Sequence, residues 1–162
     1  MMPPDKLRSL VLDLNQTAPR SPYAPLGASF PAVAARLVDK CRAELLGRAG
    51  SYHYNCPMDR RFFAASGLEP AALRDFIYTG ADDVEVTSWM RARAKAPPEQ
   101  IAAWSRRFRA NPLWRLLEFE DWLHKMWQRP GADLSGLGGF RLERFCALCR
   151  KAKGAPFSKR PS

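Results

Sequence analysis

Apolar residues recur at helical spacing along most of the chain. Val33, Leu37, Cys41 and Leu45 stand four apart with Val38 alongside, a stripe that predicts an amphipathic helix. It follows Ser29 and Pro31, a capping residue and a proline near the first helical position, and stops near Gly47 and Gly50. Arg36, Asp39, Lys40 and Arg42 fall largely off this stripe, on its polar side. A second helix is expected over Pro57–Ser66, ended by Gly67. A third opens at Pro70, turns Leu73, Phe76 and Ile77 inward and stops at Gly80. Asp82 and Asp83 supply an N-cap and a favourable first-turn charge for a fourth helix reaching about Ala94. The alternation of Val84-Glu85-Val86-Thr87 also reads as a short strand.

Pro97-Pro98 opens a fifth helix with Ile101, Trp104, Ser105 and Phe108 on one face. Asn111-Pro112 restarts the chain into a sixth, marked by Leu113, Leu116, Leu117, Leu123, Met126 and Trp127 and closed by Pro130-Gly131. A link through Gly136, Gly138 and Gly139 leads to a seventh pattern at Leu142, Phe145, Cys146 and Cys149. Before all of these, Pro3, Pro4, Pro19, Pro22 and Pro25 deny residues 1–30 a long helix. A short turn around Leu7, Leu10, Val11 and Leu14 is compatible with them. Pro19 to Pro25 contains two overlapping P-x-x-P frames, readable as a proline-motif ligand or as a strap across the domain's own surface. The expected fold is all-α: a single compact bundle of six or seven helices with an extended proline-rich arm. The divisions are 1–30 for the arm, 31–130 for the helical core, and 131–162 for the glycine-rich link and basic C-terminal helix or tail.

Composition narrows the class. A chain of 162 residues with five Trp and nine Phe suits one folded domain rather than a disordered segment. No apolar run approaches the roughly 18 residues of a membrane helix, and the first residues hold no signal-peptide core, so a cytoplasmic protein with no membrane partner is expected. The formal net charge is +10, which attracts polyanions. From Arg141 onward seven basic residues face one acid, Glu143, so residues 141–160 are the candidate polyanion-binding segment.

The densest chemistry lies in Tyr52-His53-Tyr54-Asn55-Cys56-Pro57-Met58-Asp59. Cys56 directly precedes a helix-opening proline and so takes the N-cap, where free amide donors and the helix dipole favour an anion. The thiolate is the reactive form of cysteine, and His53, three residues earlier, is the candidate proton acceptor. The same residues also read as structural, with Asp59 suiting the helix dipole. Cys146-x-x-Cys149 is a single pair on the apolar stripe of a helix, a weak zinc signal that would need His53 and Cys56 to complete it. No metal, cofactor or disulfide is expected. His124, between Trp122 and Met126, has no ligand partner at helical spacing. Trp104-Ser105-Arg106-Arg107-Phe108-Arg109, followed by Trp114-Arg115, combines rings and guanidinium groups as single-stranded nucleic-acid sites do. Helical phase instead sends Trp104 and Phe108 to the core and the arginines outward.

The ordered string Asp13-Leu14, Pro19-Arg20-Ser21-Pro22, Leu26-Gly27, Arg36 to Ala43, Gly50, Tyr52 to Asp59 and Phe62-Phe63, with Ile101 to Ser105 later, resembles an uncharacterised bacterial family catalogued as domain of unknown function 5069. The resemblance covers roughly residues 10–110, and the C-terminal third departs from it. It implies no activity, but it suggests that the arm and the tyrosine-rich loop belong together. Arg20 is placed to reach Asp39 or Asp59 if the arm folds back.

Three functional readings follow. The first is a non-enzymatic module that binds a small anionic ligand or a protein partner through Arg20, Tyr52, Tyr54, Asn55 and Asp59, near the first helix. The second is a thiol-dependent enzyme or redox protein using Cys56 with His53, in which Arg20 orients an anionic substrate. The third is a nucleic-acid-associated protein acting through the basic C-terminal helix.

Overall fold

Turns and caps written in the sequence set most helix boundaries. The computed structural model describes residues 5–112, which fall in the first of the two units into which the chain divides, 1–129 and 130–162. Over the described residues the chain is all-α, with helices α1 (Asp5–Leu10), α2 (Ala34–Leu45), α3 (Pro57–Ser66), α4 (Pro70–Tyr78), α5 (Asp83–Arg93) and α6 (Pro98–Ala110). An isolated bridge joins Leu26 and Phe30. The sixth and seventh helical patterns, the glycine link, His124, Cys146, Cys149 and the basic segment 141–160 lie outside the described residues.

Helices α3, α4 and α6 each begin on a proline, whose missing N–H costs nothing in the first turn. The strand alternative at Val84–Thr87 is overturned. The Asp82 side chain accepts from the Val84 and Glu85 amides at 3.0 and 2.9 Å, and Glu85 returns to the Asp82 N–H at 2.8 Å. This reciprocal cap fixes a helix start. It leaves Val84 exposed and Val86 buried, as on opposite sides of a helix, where a strand would have set both on one face.

Helix α2 departs from expectation in two ways. It starts at Ala34, not beside Pro31, because Val33 takes the N-cap with φ of 68°. That is an unusual conformation for a β-branched residue, and here the Val33 N–H donates to Pro22 O at 2.7 Å. More consequentially, α2 has no polar side open to solvent. Every residue from Ala34 to Ala43 is buried, including Arg36, Asp39, Lys40 and Arg42. Helix α2 packs against α3 and α4, α3 against α6, and α4 against α5, and the arm reaches α2 through Arg20. Spacing locates the apolar stripe of a helix, but only the surrounding elements determine whether its other side meets water.

The arm goes deeper than a surface strap. Leu7, Leu14, Leu26 and Phe30 are essentially inaccessible, Pro19 and Pro22 are buried, and Leu14 N–H donates to Arg48 O at 2.9 Å. The Pro19–Pro22 frame is therefore closed to a proline-recognising partner. Phe76 also departs from expectation: it is half-buried and stacks on Trp89 at 5.2 Å instead of entering the core. In α6 the helical phase holds. Trp104 meets Phe62 edge-on at 5.8 Å and stacks on Phe108 at 5.4 Å, while Arg106, Arg107 and Arg109 are exposed.

Candidate functional site

The buried charges of α2 each find a partner brought by a different element. Asp39 binds Arg20 of the arm: the Arg20 Nε and backbone N–H both donate to Oδ2 at 2.9 Å, and Nη2 donates to Oδ1 at 2.7 Å. Arg42 donates to Asp83 Oδ1 at 2.7 Å and to Ala81 O at 2.8 Å. Arg20 Nη1 reaches the other Asp83 oxygen at 2.7 Å, so Asp83 bridges the two guanidinium groups. Partial burial works against the Asp83 carboxylate, but the hydrogen bonds from Arg20 and Arg42 hold its pKa below the usual carboxylate range. For Arg20, burial works against the charge, and Asp39 and Asp83 more than offset it, raising its pKa.

Lys40, one residue after Asp39, points about 100° around the helix from it and meets the loop that precedes α3. Its ammonium donates to both Asp59 oxygens at 2.8 Å and to Cys56 Sγ at 3.1 Å. Lys40 is 2% and Asp59 0% exposed, whereas Cys56 is only partly buried. Asp59 Oδ2 also accepts the Cys56 N–H at 3.3 Å, tying the carboxylate to the first turn of α3. Cys56 is the N-cap, with extended φ and ψ of −66° and 170°. An ammonium, a carboxylate and a thiol thus share one cluster, in which Cys56 is the least buried residue.

The chain from Tyr52 to Asn55 lies along the same side of α2. The Arg36 guanidinium sits 5.4 Å from the centre of the Tyr52 ring, and Arg36 is one turn before Lys40. Tyr54 is anchored three ways: its N–H donates to Glu44 Oε2 at 2.9 Å, its hydroxyl to Pro70 O at 2.8 Å, and its ring meets Phe63 edge-on at 5.9 Å. Burial pushes the Tyr54 phenol well above its ordinary pKa. Asn55 has φ of 59°, a conformation Asn tolerates better than most residues, and its Oδ1 is buried without a protein partner.

Several sequence expectations regroup. Arg20 pairs with Asp39 rather than Asp59, which belongs to Lys40. Tyr52, Tyr54, Asn55, Cys56 and Asp59 do gather against α2, whereas the Arg20 guanidinium is engaged by Asp39 and Asp83 and Arg20 meets this group through Arg36, which donates to Arg20 O at 3.2 Å. The hydrogen bond on Cys56 Sγ comes from Lys40, not from His53, which is partly buried three residues away. Lys40 escaped sequence reading because it looked like one solvated charge among four. A signal was present nonetheless: four charged residues crowd about two turns of a helix in a sequence otherwise rich in apolar matches. Cys41, the other free cysteine here, is buried, and that burial drives its thiol far above the ordinary pKa.

Among the described residues, no group of three or more His, Cys, Asp or Glu side chains converges as a metal site would require. Among them, too, no helix is long and apolar enough to cross a membrane. A shallow cavity of about 370 Å³ lies elsewhere, between Ser29, Phe30, Arg91, Lys95 and Ile101, and brings no thiol or carboxylate together. A family model described as "Domain of unknown function (DUF5069)" matches residues 16–126, more than half of the chain, so the chain belongs to that family. The match reaches beyond residue 110, past the span of the residues quoted above. No curated protein matches the chain.

Proposed function

We propose that this member of the DUF5069 family is a thiol-dependent redox protein working through Cys56. The observation that supports the reading is the Lys40 ammonium, 3.1 Å from Cys56 Sγ and 2.8 Å from both oxygens of Asp59. Lys40 fills the role first expected of His53, a polar group on the sulfur that can exchange protons with it. Its own proton partner, Asp59, is in place behind it. Redox chemistry suits the site better than acyl transfer. A carbonyl substrate needs a pocket and an orienting cation, and Arg20 is committed to Asp39 and Asp83. A small oxidant needs only to reach the sulfur of a partly buried cysteine.

Alkylation tests this directly. In the folded chain iodoacetamide should modify Cys56 while Cys41 stays protected until denaturant is added, with sites read by mass spectrometry. If Cys56 is modified only together with Cys41, on unfolding, the thiol is structural and the reading fails.

One observation favours the binding-module reading as a second possibility: the unpartnered Asn55 Oδ1 inside the Tyr52–Asp59 loop, an acceptor that a ligand N–H or O–H would satisfy. Screening for compounds that raise the melting temperature of wild type, and fail to do so for Asn55→Asp, would support it. Equal stabilisation of both would remove Asn55 from the case.

A further inference from the structure

We propose that Lys40 and Cys56 are a modification site: a peroxide converts them into a covalent sulfur–nitrogen bridge joining α2 to the start of α3. The inference rests on the thiol reading above, since it needs an oxidant to reach the Cys56 sulfur. Three features of the geometry carry it. The lysine nitrogen already lies 3.1 Å from the sulfur, so the bond-forming atoms are in contact before any oxidation. Asp59 holds the same nitrogen through both oxygens at 2.8 Å, placed to take the proton that an ammonium must shed to become a nucleophile. The burial is graded: Cys56 is only partly buried, while Lys40 and Asp59 are enclosed. Oxidant arrives at the sulfur, and an oxidised sulfur next meets the amine that already touches it. Cys41, the other described thiol, is fully buried.

The steps balance. The thiol sulfur attacks one oxygen of hydrogen peroxide or an alkyl hydroperoxide, and the O–O bond breaks. The sulfur loses two electrons and becomes a sulfenic acid. The peroxide is reduced to water or the alcohol, whose oxygen takes the thiol proton. Lys40 then gives one proton to Asp59, and the free amine attacks the sulfur. The S–O bond breaks, and hydroxide leaves as water with a second amine proton. Sγ and Nζ are now joined, Lys40 has lost its charge, and Asp59 is a neutral acid. The buried ion pair has been discharged and replaced by a covalent bond, which an added dithiol can reduce by attack at sulfur.

The test uses the full chain, first reduced, then exposed to hydrogen peroxide, denatured, alkylated with iodoacetamide and digested with trypsin without reductant. The expected product joins Leu37–Arg42 to Ala49–Arg60, uncut after Lys40, two hydrogens lighter than the separate peptides, with Cys41 alkylated inside it. Dithiothreitol should dissolve it. Cleavage after Lys40 within a joined pair would mean a Cys41–Cys56 disulfide and would overturn the proposal, as would a disulfide from Cys56 to Cys146 or Cys149. A bridge that retains one oxygen overturns the sulfur–nitrogen step. Lys40→Arg keeps the charge without a nucleophilic amine, and should replace the bridge by a dimedone-trapped sulfenic acid on Cys56. If that variant does not fold, the wild-type peptide map decides alone. Oxidised Cys56 without a bridge overturns this inference and leaves the thiol reading standing. A Cys56 inert to both peroxide and iodoacetamide overturns both.

Discussion

Lys40 Nζ lies 2.8 Å from each carboxylate oxygen of Asp59, with both side chains almost wholly removed from solvent. Two charges taken out of water recover their hydration only through each other and through added hydrogen bonds, here to Cys56 Sγ and from its N–H. The pair therefore couples the central helix to the N-terminus of α3 far more strictly than its net contribution to stability suggests.

Breaking one member should be costly and replacing both should not. Asp59→Asn leaves a buried ammonium without a counter-charge and is expected to destabilise the fold by about 3–5 kcal/mol. The double variant Lys40→Met, Asp59→Leu should be well below the sum of the two single costs. Urea unfolding of Asp59→Asn, of Lys40→Met and Asp59→Leu singly, and of the double variant measures this, and an additive result would show that the two charges are not coupled.

Arg20 and Tyr54 read from sequence as residues of a ligand site, and in the structure both also tie elements of the fold together. Arg20→Ala removes the counter-charge of buried Asp39. Because the Arg20 side chain is one-third exposed, solvent screens part of the loss, and about 2 kcal/mol is expected. Arg20→Lys should recover little of it, since Nε, Nη1 and Nη2 all donate and a single ammonium cannot reproduce the fork. Full recovery of the unfolding midpoint by lysine would contradict this geometry.

Two glycines with nearly the same φ should respond differently to alanine. Gly47 (φ 67°) has nothing within 4 Å of an added Cβ, so Gly47→Ala carries only the left-handed backbone cost, about 1 kcal/mol. At Gly50 (φ 57°) the Cβ would stand 2.9 Å from Leu14 O, against the backbone of the arm. Gly50→Ala should therefore cost about 1–2 kcal/mol more than Gly47→Ala, and it should expose the arm to limited proteolysis. Equal costs would mean that the arm yields without penalty.

Acid should weaken the arm's attachment through Asp83. Its pKa lies below the ordinary value in the fold, so between the two values the unfolded chain binds more protons than the native one. The stabilisation is present in full above the usual carboxylate range, about pH 4. It is lost as pH falls through the lower, native value. Melting temperature followed from pH 7 to 3 should fall, and Asp83→Asn should be less stable at pH 7 with a shallower fall. An unchanged slope in that variant would assign the acid sensitivity to other carboxylates.

Local chemistry made much of this protein legible in its sequence. Prolines at 57, 70 and 98, the Asp82–Glu85 cap and the four-residue stripe from Val33 to Leu45 each act within a turn or two of chain. Helix starts, stops and apolar faces could therefore be read without knowing what lies nearby. The N-cap position of Cys56 was legible for the same reason.

What only the tertiary structure decided was the fate of the charges on α2. Asp39, Lys40 and Arg42 look alike in sequence, as the polar side of one helix. Their partners Arg20, Asp59 and Asp83 stand 19, 19 and 41 residues away, on the arm, α3 and the start of α5. Ion pairing depends on which elements enclose a side chain, and helical periodicity holds no information about that. The same enclosure put Lys40, rather than the nearby His53, on the sulfur of Cys56.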